Sequence, residues 1–317
     1  MKRILITGIA GFIGFHLARA LKARGDVVCG LDNFNDYYSV ELKKQRAALL
    51  KAEGIPVFRE DINNRAFLVE MLQSHSVTHV AHLAAQAGVR YSETNAQSYV
   101  HSNLSGFVEM LEALRQKPSV TLIYASSSSV YGLNTKVPFS ESDPVNCPAS
   151  FYGATKRSNE LIAHSYHHTY GLKCTGLRFF TVYGPWGRPD MAYFSFARAI
   201  LENKPITLFE RGELKRDFTY IDDIVSGIIS AIDLGAPCEI FNLGNHSPVS
   251  VSELVSTLEE LLGKKALIQY AQKPQGDVAI TYADIDKARR MLGFEPKTAL
   301  RTGLAQFVIW HKKFLQG

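Results

Sequence analysis

Cysteine is scarce. Cys29, Cys147, Cys174 and Cys238 are the only four in 317 residues, and no two stand in a CxxC or other metal-ligand spacing. That excludes a disulfide framework and a cysteine-based zinc site, and the thiols read as reduced, mostly buried groups of a cytosolic protein. His75, His79, His82 and His101 are scattered without an HExxH pattern. His164, His167 and His168 share a helical stretch whose spacing does not converge with Tyr152, so they read as surface or dimer contacts and no metal is expected. No apolar run approaches the ~20 residues of a membrane span. No charged-then-apolar leader precedes the first strand, which points to a cytoplasmic location. The net charge is only +5, without a basic run interleaved with aromatics, so nucleic acid is not an expected partner. This small excess suits an anionic small substrate. Internal repeats and low-complexity stretches are absent too.

What is present begins with one βαβ unit over residues 2–31. Arg3-Ile4-Leu5-Ile6-Thr7 is a short apolar strand, and Gly8-Ile9-Ala10-Gly11-Phe12-Ile13-Gly14 opens a helix running to about Arg24. Glycines three apart let the backbone turn tightly and approach a pyrophosphate, which the helix N-terminal amides then bind. The second strand ends at Asp32, whose carboxylate can accept hydrogen bonds from an adenosine ribose and would repel a 2′-phosphate. NAD is therefore the expected cofactor, in preference to NADP.

Apolar strands over 56–59, 77–82, 120–126 and 173–179 alternate with helices over 39–53, 64–74, 95–116 and 151–170. This alternation predicts an α/β fold, a Rossmann-type doubly wound parallel sheet. The pattern changes after Tyr183, where the two prolines in Gly184-Pro185-Trp186-Gly187-Arg188-Pro189-Asp190 break regular structure. Beyond lie helices over 191–202, 222–233, 251–262, 284–292 and 298–314, strands over 206–209, 239–243 and 266–270, and a turn at 210–213. Residues 1–180 read as the NAD-binding domain. Residues 181–317 read as a smaller α/β substrate-binding lobe, with some segments returning to the large sheet.

Tyr152 and Lys156 stand one helical turn apart, on one helix face. An unbroken serine cluster, Ser126 to Ser129, closes an apolar strand upstream. A phenol is a poor base at neutral pH, its unperturbed pKa being near ~10. A lysine ammonium on the next turn favours the phenolate, and a serine hydroxyl can relay the proton.

Taken together, the glycine triplet, the serine cluster and Tyr152-x-x-x-Lys156 resemble an extended short-chain dehydrogenase/reductase along nearly the whole chain. Supporting segments are His82-Leu83-Ala84-Ala85-Gln86, Asn103 and Val130-Tyr131-Gly132. Within that superfamily the chain is most similar to nucleotide-sugar epimerases, specifically the UDP-glucuronate 4-epimerases. The segments that carry this likeness include Asn33-Phe34-Asn35-Asp36-Tyr37-Tyr38, Ala87-Gly88-Val89-Arg90-Tyr91-Ser92, Arg188-Pro189-Asp190-Met191-Ala192 and Arg216-Asp217-Phe218-Thr219-Tyr220.

The resemblance implies interconversion of UDP-glucuronate and UDP-galacturonate through a transient 4-keto sugar. Tyr152 takes the proton from O4 while C4 gives hydride to NAD, Lys156 lowers the tyrosine pKa, and Ser127 hydrogen-bonds O4. It implies cofactor contacts at Gly8, Gly11, Phe12, Ile13, Gly14, Asp32, Asn33, Asp61, Ile62, Leu83, Ala84, Ala85 and Asn103, besides Tyr152 and Lys156. Substrate contacts are implied at Gln86, Arg90, Ser128, Ser129, Thr181, Arg188, Arg211 and Arg216. A homodimer is also implied, through the long helices over 95–116 and 151–170.

Oxidation at C4 places a ketone β to the C5 carboxylate, and such an acid loses CO2 when the breaking bond aligns with the carbonyl π system. A guanidinium can hold a carboxylate out of that geometry through two parallel hydrogen bonds. Arg188, with Thr181 and Ser128, is the candidate clamp; the other reading is a phosphate contact or a surface-loop arginine. Arg216 matches a diphosphate-binding arginine, Arg211 reads equally as a solvated charge, and Lys273 stands where related epimerases often carry an arginine. Ser127-Ser128-Ser129 offers no carboxylate, which argues against 4,6-dehydration and against a decarboxylase. A UDP-glucose 4-epimerase is the enzymatic alternative, and a catalytically idle NAD-binding protein the non-enzymatic one.

Overall fold

The computed structural model describes residues 1–272 and 278–316. Lys273 lies outside the described residues. The main sheet contains β1 (Arg3–Thr7), β2 (Val27–Asp32), β3 (Val57–Arg59), β4 (His79–His82), β5 (Thr121–Ser127) and β6 (Cys174–Phe179). A seventh strand, Cys238–Leu243, extends it at one edge, giving the order Cys238–Leu243, β6, β5, β4, β1, β2, β3. All its pairings are parallel. The doubly wound α/β architecture expected from the alternation is the one observed.

Burial on both faces explains why these strands read as apolar runs rather than as alternating ones. In β1, Ile4 and Ile6 join one core layer while Leu5 joins the other. The period of two sends neighbours to opposite faces. Helix Phe12–Ala23 supplies Phe15, Leu17, Ala18 and Leu21 to the first layer, and helix Gly106–Arg115 supplies Phe107, Met110 and Leu111 to the second. The strands' carboxyl ends lie together at one edge, where open α/β sheets present ligand sites.

The structure redraws two regions. Residues expected as one helix over 95–116 form an α-turn, Ala96–Tyr99, a π-helical turn, Val100–Ser105, and helix Gly106–Arg115. The wider turn carries Asn103, whose amide donates to the Gln86 carbonyl and to Thr155 Oγ1, both at 3.0 Å. The second correction concerns short strands that the sequence pattern does not announce. Lys215–Tyr220 pairs with Thr181–Tyr183, Pro248–Ser250 and Ile280–Thr281 in a four-stranded sheet. Its opening Lys-Arg-Asp conceals the strand, because Asp217 is buried here against backbone amides rather than solvated.

Candidate active site

The glycine loop joins β1 to helix Phe12–Ala23 at the carboxyl edge of the sheet. Gly8 has φ +70°, and a Cβ there would lie 2.8 Å from the Ala84 backbone nitrogen. At Gly14 a Cβ would lie 2.3 Å from the Gly8 carbonyl oxygen. Side chains are thus excluded by backbone on both sides, and a ligand can approach the loop itself. The N-cap, Gly11, makes no side-chain cap bond, and the first turn holds no acidic residue. The amides and the helix dipole at this end suit an anion. At the end of β2, Asp32 accepts from Phe34 N (2.8 Å) and Ala10 N (3.1 Å). Each carboxylate oxygen keeps acceptor capacity for a ribose hydroxyl. Burial pushes the Asp32 carboxyl up. The free loop backbone and the ribose acceptor together fit an NAD-shaped ligand.

The same cleft contains Tyr152 and Lys156, presented by helix Phe151–Tyr170. Ser150 caps this helix, accepting from Gly153 N at 3.0 Å. The helix lies so close to the serine segment that a Cβ at Gly153 would stand 2.5 Å from the Ser129 carbonyl. Tyr152 and Ser127 line the cleft together; burial raises the phenol pKa, and the Ser127 hydroxyl and the Arg188 charge oppose that rise. Lys156 is buried and donates from Nζ to the Ala125 carbonyl at 2.8 Å. Burial lowers its pKa to about 8. The Arg188 charge thus acts on the phenol as well, a contribution that the sequence reading did not assign.

Gln86 and Arg188 share this cleft with Phe12, Ile13, Asn33, Ile62, Leu83, Ala84 and Ala85. Arg188 donates from Nε to Asp190 Oδ1 (3.1 Å) and from Nη2 to Oδ2 (2.5 Å), with its guanidinium 5.8 Å from the Tyr37 ring centre. Tyr37 donates to the same carboxylate at 3.1 Å. The forked edge expected to meet a substrate is thus occupied by a neighbouring side chain. A second cavity is lined by Arg90, Ser128, Ser129, Thr181 and Arg216. The serine segment divides between the two cavities, with Ser127 on the first and the next two serines on the second.

Three expected contacts stand elsewhere. Asn103 is buried behind the cleft wall, accepting from Gln86 N at 2.8 Å and donating to its carbonyl. It supports Gln86 instead of lining the cleft. Asp61 accepts from Asn33 Nδ2 at 2.9 Å, so its carboxylate braces a residue that does line it. Burial acts to raise the Asp61 pKa, but donors on Asn63, Asn33 and His101 hold it near about 2. Arg211 is exposed in the turn Glu210–Gly212 and lines neither cavity. Tyr37 lines the cleft, as a pocket-wall aromatic would, and so does Lys43, which was not singled out as a contact. The available signal for Lys43 was weak: it lies on helix Val40–Ala52 among other charged residues.

The fold has counterparts among known proteins. Residues 4–244 match the model of the NAD dependent epimerase/dehydratase family. UDP-glucuronate 4-epimerase 3 of Arabidopsis thaliana is 53% identical over 332 residues, covering 99% of this chain and 77% of the plant protein. The structure of UDP-glucuronic acid 4-epimerase from Bacillus cereus, in complex with UDP-glucuronic acid and NAD, superposes with a TM-score of 0.92. It is 37% identical, with 99% of this chain and 100% of that one covered. UDP-glucose 4-epimerase from Thermotoga maritima, solved with UDP-glucose, gives a TM-score of 0.88 at 32% identity, covering 99% and 100%. With the glycine cradle and the serine–tyrosine–lysine site on one sheet edge, a match across three quarters of the chain means that it belongs to the NAD dependent epimerase/dehydratase family.

Proposed function

We propose that this protein is an NAD-dependent 4-epimerase that interconverts UDP-glucuronate and UDP-galacturonate. The observation that carries this reading is that Ser127, Tyr152 and Lys156 line one cleft with the glycine loop and Arg188. NAD supplies a reversible hydride acceptor. Residues 1–180 hold it through the glycine loop, the first-helix amides and Asp32, and residues 181–317 contribute Thr181, Arg188 and Arg216 to the nucleotide sugar.

Tyr152 removes the proton from the sugar O4 and later returns it, while Ser127 holds that oxygen and relays the proton. Lys156, desolvated and positively charged below about pH 8, orients the nicotinamide ribose and adds to the field favouring phenolate. Arg188 from the first cavity, with Thr181 and Ser128 from the second, holds the C5 carboxylate away from the alignment that would release CO2 from the 4-keto sugar. Arg216 and Arg90 serve the UDP diphosphate from the second cavity. A UDP-glucose 4-epimerase is the second reading, favoured by the Arg188–Asp190 pair, which leaves the clamp nearly neutral and tolerant of an uncharged hexose.

We further propose a cytoplasmic homodimer. No described helix is long and apolar enough to cross a membrane. Leu161 and Tyr170, on helix Phe151–Tyr170, are 55% and 44% exposed and suit a helix-to-helix contact. A monomer by sedimentation would remove the dimer. The activity is tested by incubating the protein with UDP-glucuronate, UDP-glucose and UDP-xylose and following C4 inversion by NMR. UDP-galacturonate should form without net redox change. Inversion of UDP-glucose alone would select the second reading, and no inversion of any sugar would remove both.

A further inference from the structure

Arg46 is 0% exposed, yet among the described residues it has no carboxylate partner within ion-pair distance. Burying a guanidinium is costly unless its donors are satisfied. Here the acceptors are neutral oxygens from three separate segments. Nη1 donates to the Ala10 carbonyl in the glycine loop and to Tyr38 Oη, both at 2.9 Å. Nη2 donates to the carbonyls of Trp186 (2.6 Å) and Gly187 (3.1 Å). Nε has no partner.

The two ends of this fork meet the parts of the site that hold different ligands. Ala10 precedes the cap of the helix whose amides suit a diphosphate, and its own N–H donates to Asp32. Trp186 and Gly187 immediately precede Arg188. Their loop contains no helix or strand, Trp186 has φ +57°, and a Cβ at Gly187 would lie 1.7 Å from the Tyr193 hydroxyl. The bonds to Arg46 therefore supply order that regular structure does not.

We propose that Arg46 is a positioning residue that couples the cofactor cradle to the carboxylate clamp, by tying the glycine-loop backbone to the backbone that presents Arg188. This inference rests on the proposed uronate 4-epimerase reading. Its charge, met by neutral oxygens and felt by Asp32, also favours an anionic group at the adjacent helix N-terminus. Cofactor binding and uronate binding therefore share one support.

The test uses Arg46→Met, which keeps bulk and stem, and Arg46→Lys, which keeps charge but loses the fork, with Arg188→Ala and the double variant. NAD affinity is measured by calorimetry on protein stripped of cofactor. Arg46→Met should weaken it at least ten-fold, with Arg46→Lys recovering part. Affinity for UDP-glucuronate should also fall about ten-fold, and affinity for UDP-glucose much less. On the Arg188→Ala background the Arg46→Met penalty for UDP-glucuronate should largely vanish, because the group positioned is gone. Additive penalties, or unchanged NAD affinity in Arg46→Met, would overturn the coupling. Should Arg46→Met fail to fold, Tyr38→Phe, which removes one partner of the same fork, carries the NAD and UDP-glucuronate measurements, with a smaller loss of both expected and no loss of either overturning. An inactive wild type that still shows these binding effects would sink the epimerase reading alone.

Discussion

At Glu160, on the helix that carries Tyr152, buried charge meets charge of opposite sign; at Asp217, on the substrate side, it meets backbone dipoles. Glu160, on the helix carrying Tyr152, accepts from Arg178 Nε (2.8 Å) and Nη2 (2.9 Å) and from Ser126 Oγ (2.7 Å). Arg178 continues to Tyr131, and Tyr131 to Asn242. Burial acts to raise the Glu160 pKa, but the bonds and charge of Arg178, with Ser126 and Arg157, bring it below the usual range. By contrast, Asp217 accepts from the amides of Asn245 (2.6 Å), Ala283 (2.9 Å) and His246 (3.1 Å), and from Thr219. An ion pair fastens elements that are already regular, here a helix and β5–β6. A single charge gathers loop backbone that has no regular partners of its own, as Arg46 does with opposite sign.

The contrast implies that chemistry and stability separate cleanly on the helix side. Tyr152→Phe should lower kcat by a thousand-fold or more, about 4 kcal/mol in activation free energy, because it removes the acid and base together. The melting temperature should hardly move. A variant that lost activity only through unfolding would break the comparison at its strongest point. Next in size is Glu160→Leu, which leaves Arg178 buried without its counter-charge. Unfolding in urea should show a loss of about 3 kcal/mol or more. A neutral result would mean that the ion pair contributes no more than the apolar packing replacing it.

Asp217→Asn probes the other kind of anchor. Both carboxylate oxygens accept from backbone N–H groups, so an amide must set its NH2 against a donor. The expected loss is about 1–3 kcal/mol, the cost of an unsatisfied buried group. Burial raises the Asp217 pKa to about 6, against the four donors, which lower it. Its folded pKa exceeds the unfolded value of ~3.9, so its stabilising contribution is full below pH ~4 and is lost as pH rises through about 6. The stability gap between wild type and Asp217→Asn should therefore narrow from pH 4 to pH 7, as measured by urea unfolding. A gap constant with pH would show that the carboxyl does not titrate in that window.

The parts legible in the sequence are those whose function sits in local spacing. The glycine loop, Asp32 at a strand end and Tyr152 four residues before Lys156 are each contained within one βα unit or one helical turn. Parts that were not legible depend on where a charged side chain ends up. Lys43 and Arg46 are both buried on helix Val40–Ala52, a segment whose composition suggests solvent exposure. Strand Lys215–Tyr220 was hidden because its first residues are charged, although Asp217 is fully buried. Asn103 was read as a cofactor contact because motif position says nothing of the π-helical turn that aims it at Gln86 and Thr155. Tertiary contacts overrode composition in each case, and most of them lie where single charges meet backbone.

Asp190 gives the smallest effect and draws the comparison most finely, since it sets a charge against the charge of Arg188 in the cleft itself. The Arg188–Asp190 pair is partly open, with side chains 22% and 31% exposed. Such a pair contributes at most about 1 kcal/mol to stability. Its effect on binding is more specific, because Asp190 occupies the Nε and Nη2 edge that a carboxylate prefers. Asp190→Asn should release that edge and add one positive charge to the cleft. Affinity for UDP-glucuronate should rise about two- to five-fold at low salt, affinity for UDP-glucose should stay level, and the gain should shrink as salt screens the charge. Calorimetry at two ionic strengths would read all three. A loss of UDP-glucuronate affinity instead would show that Asp190 orients Arg188 rather than competing for it, and the clamp would then depend on an ion pair as the Tyr152 helix does.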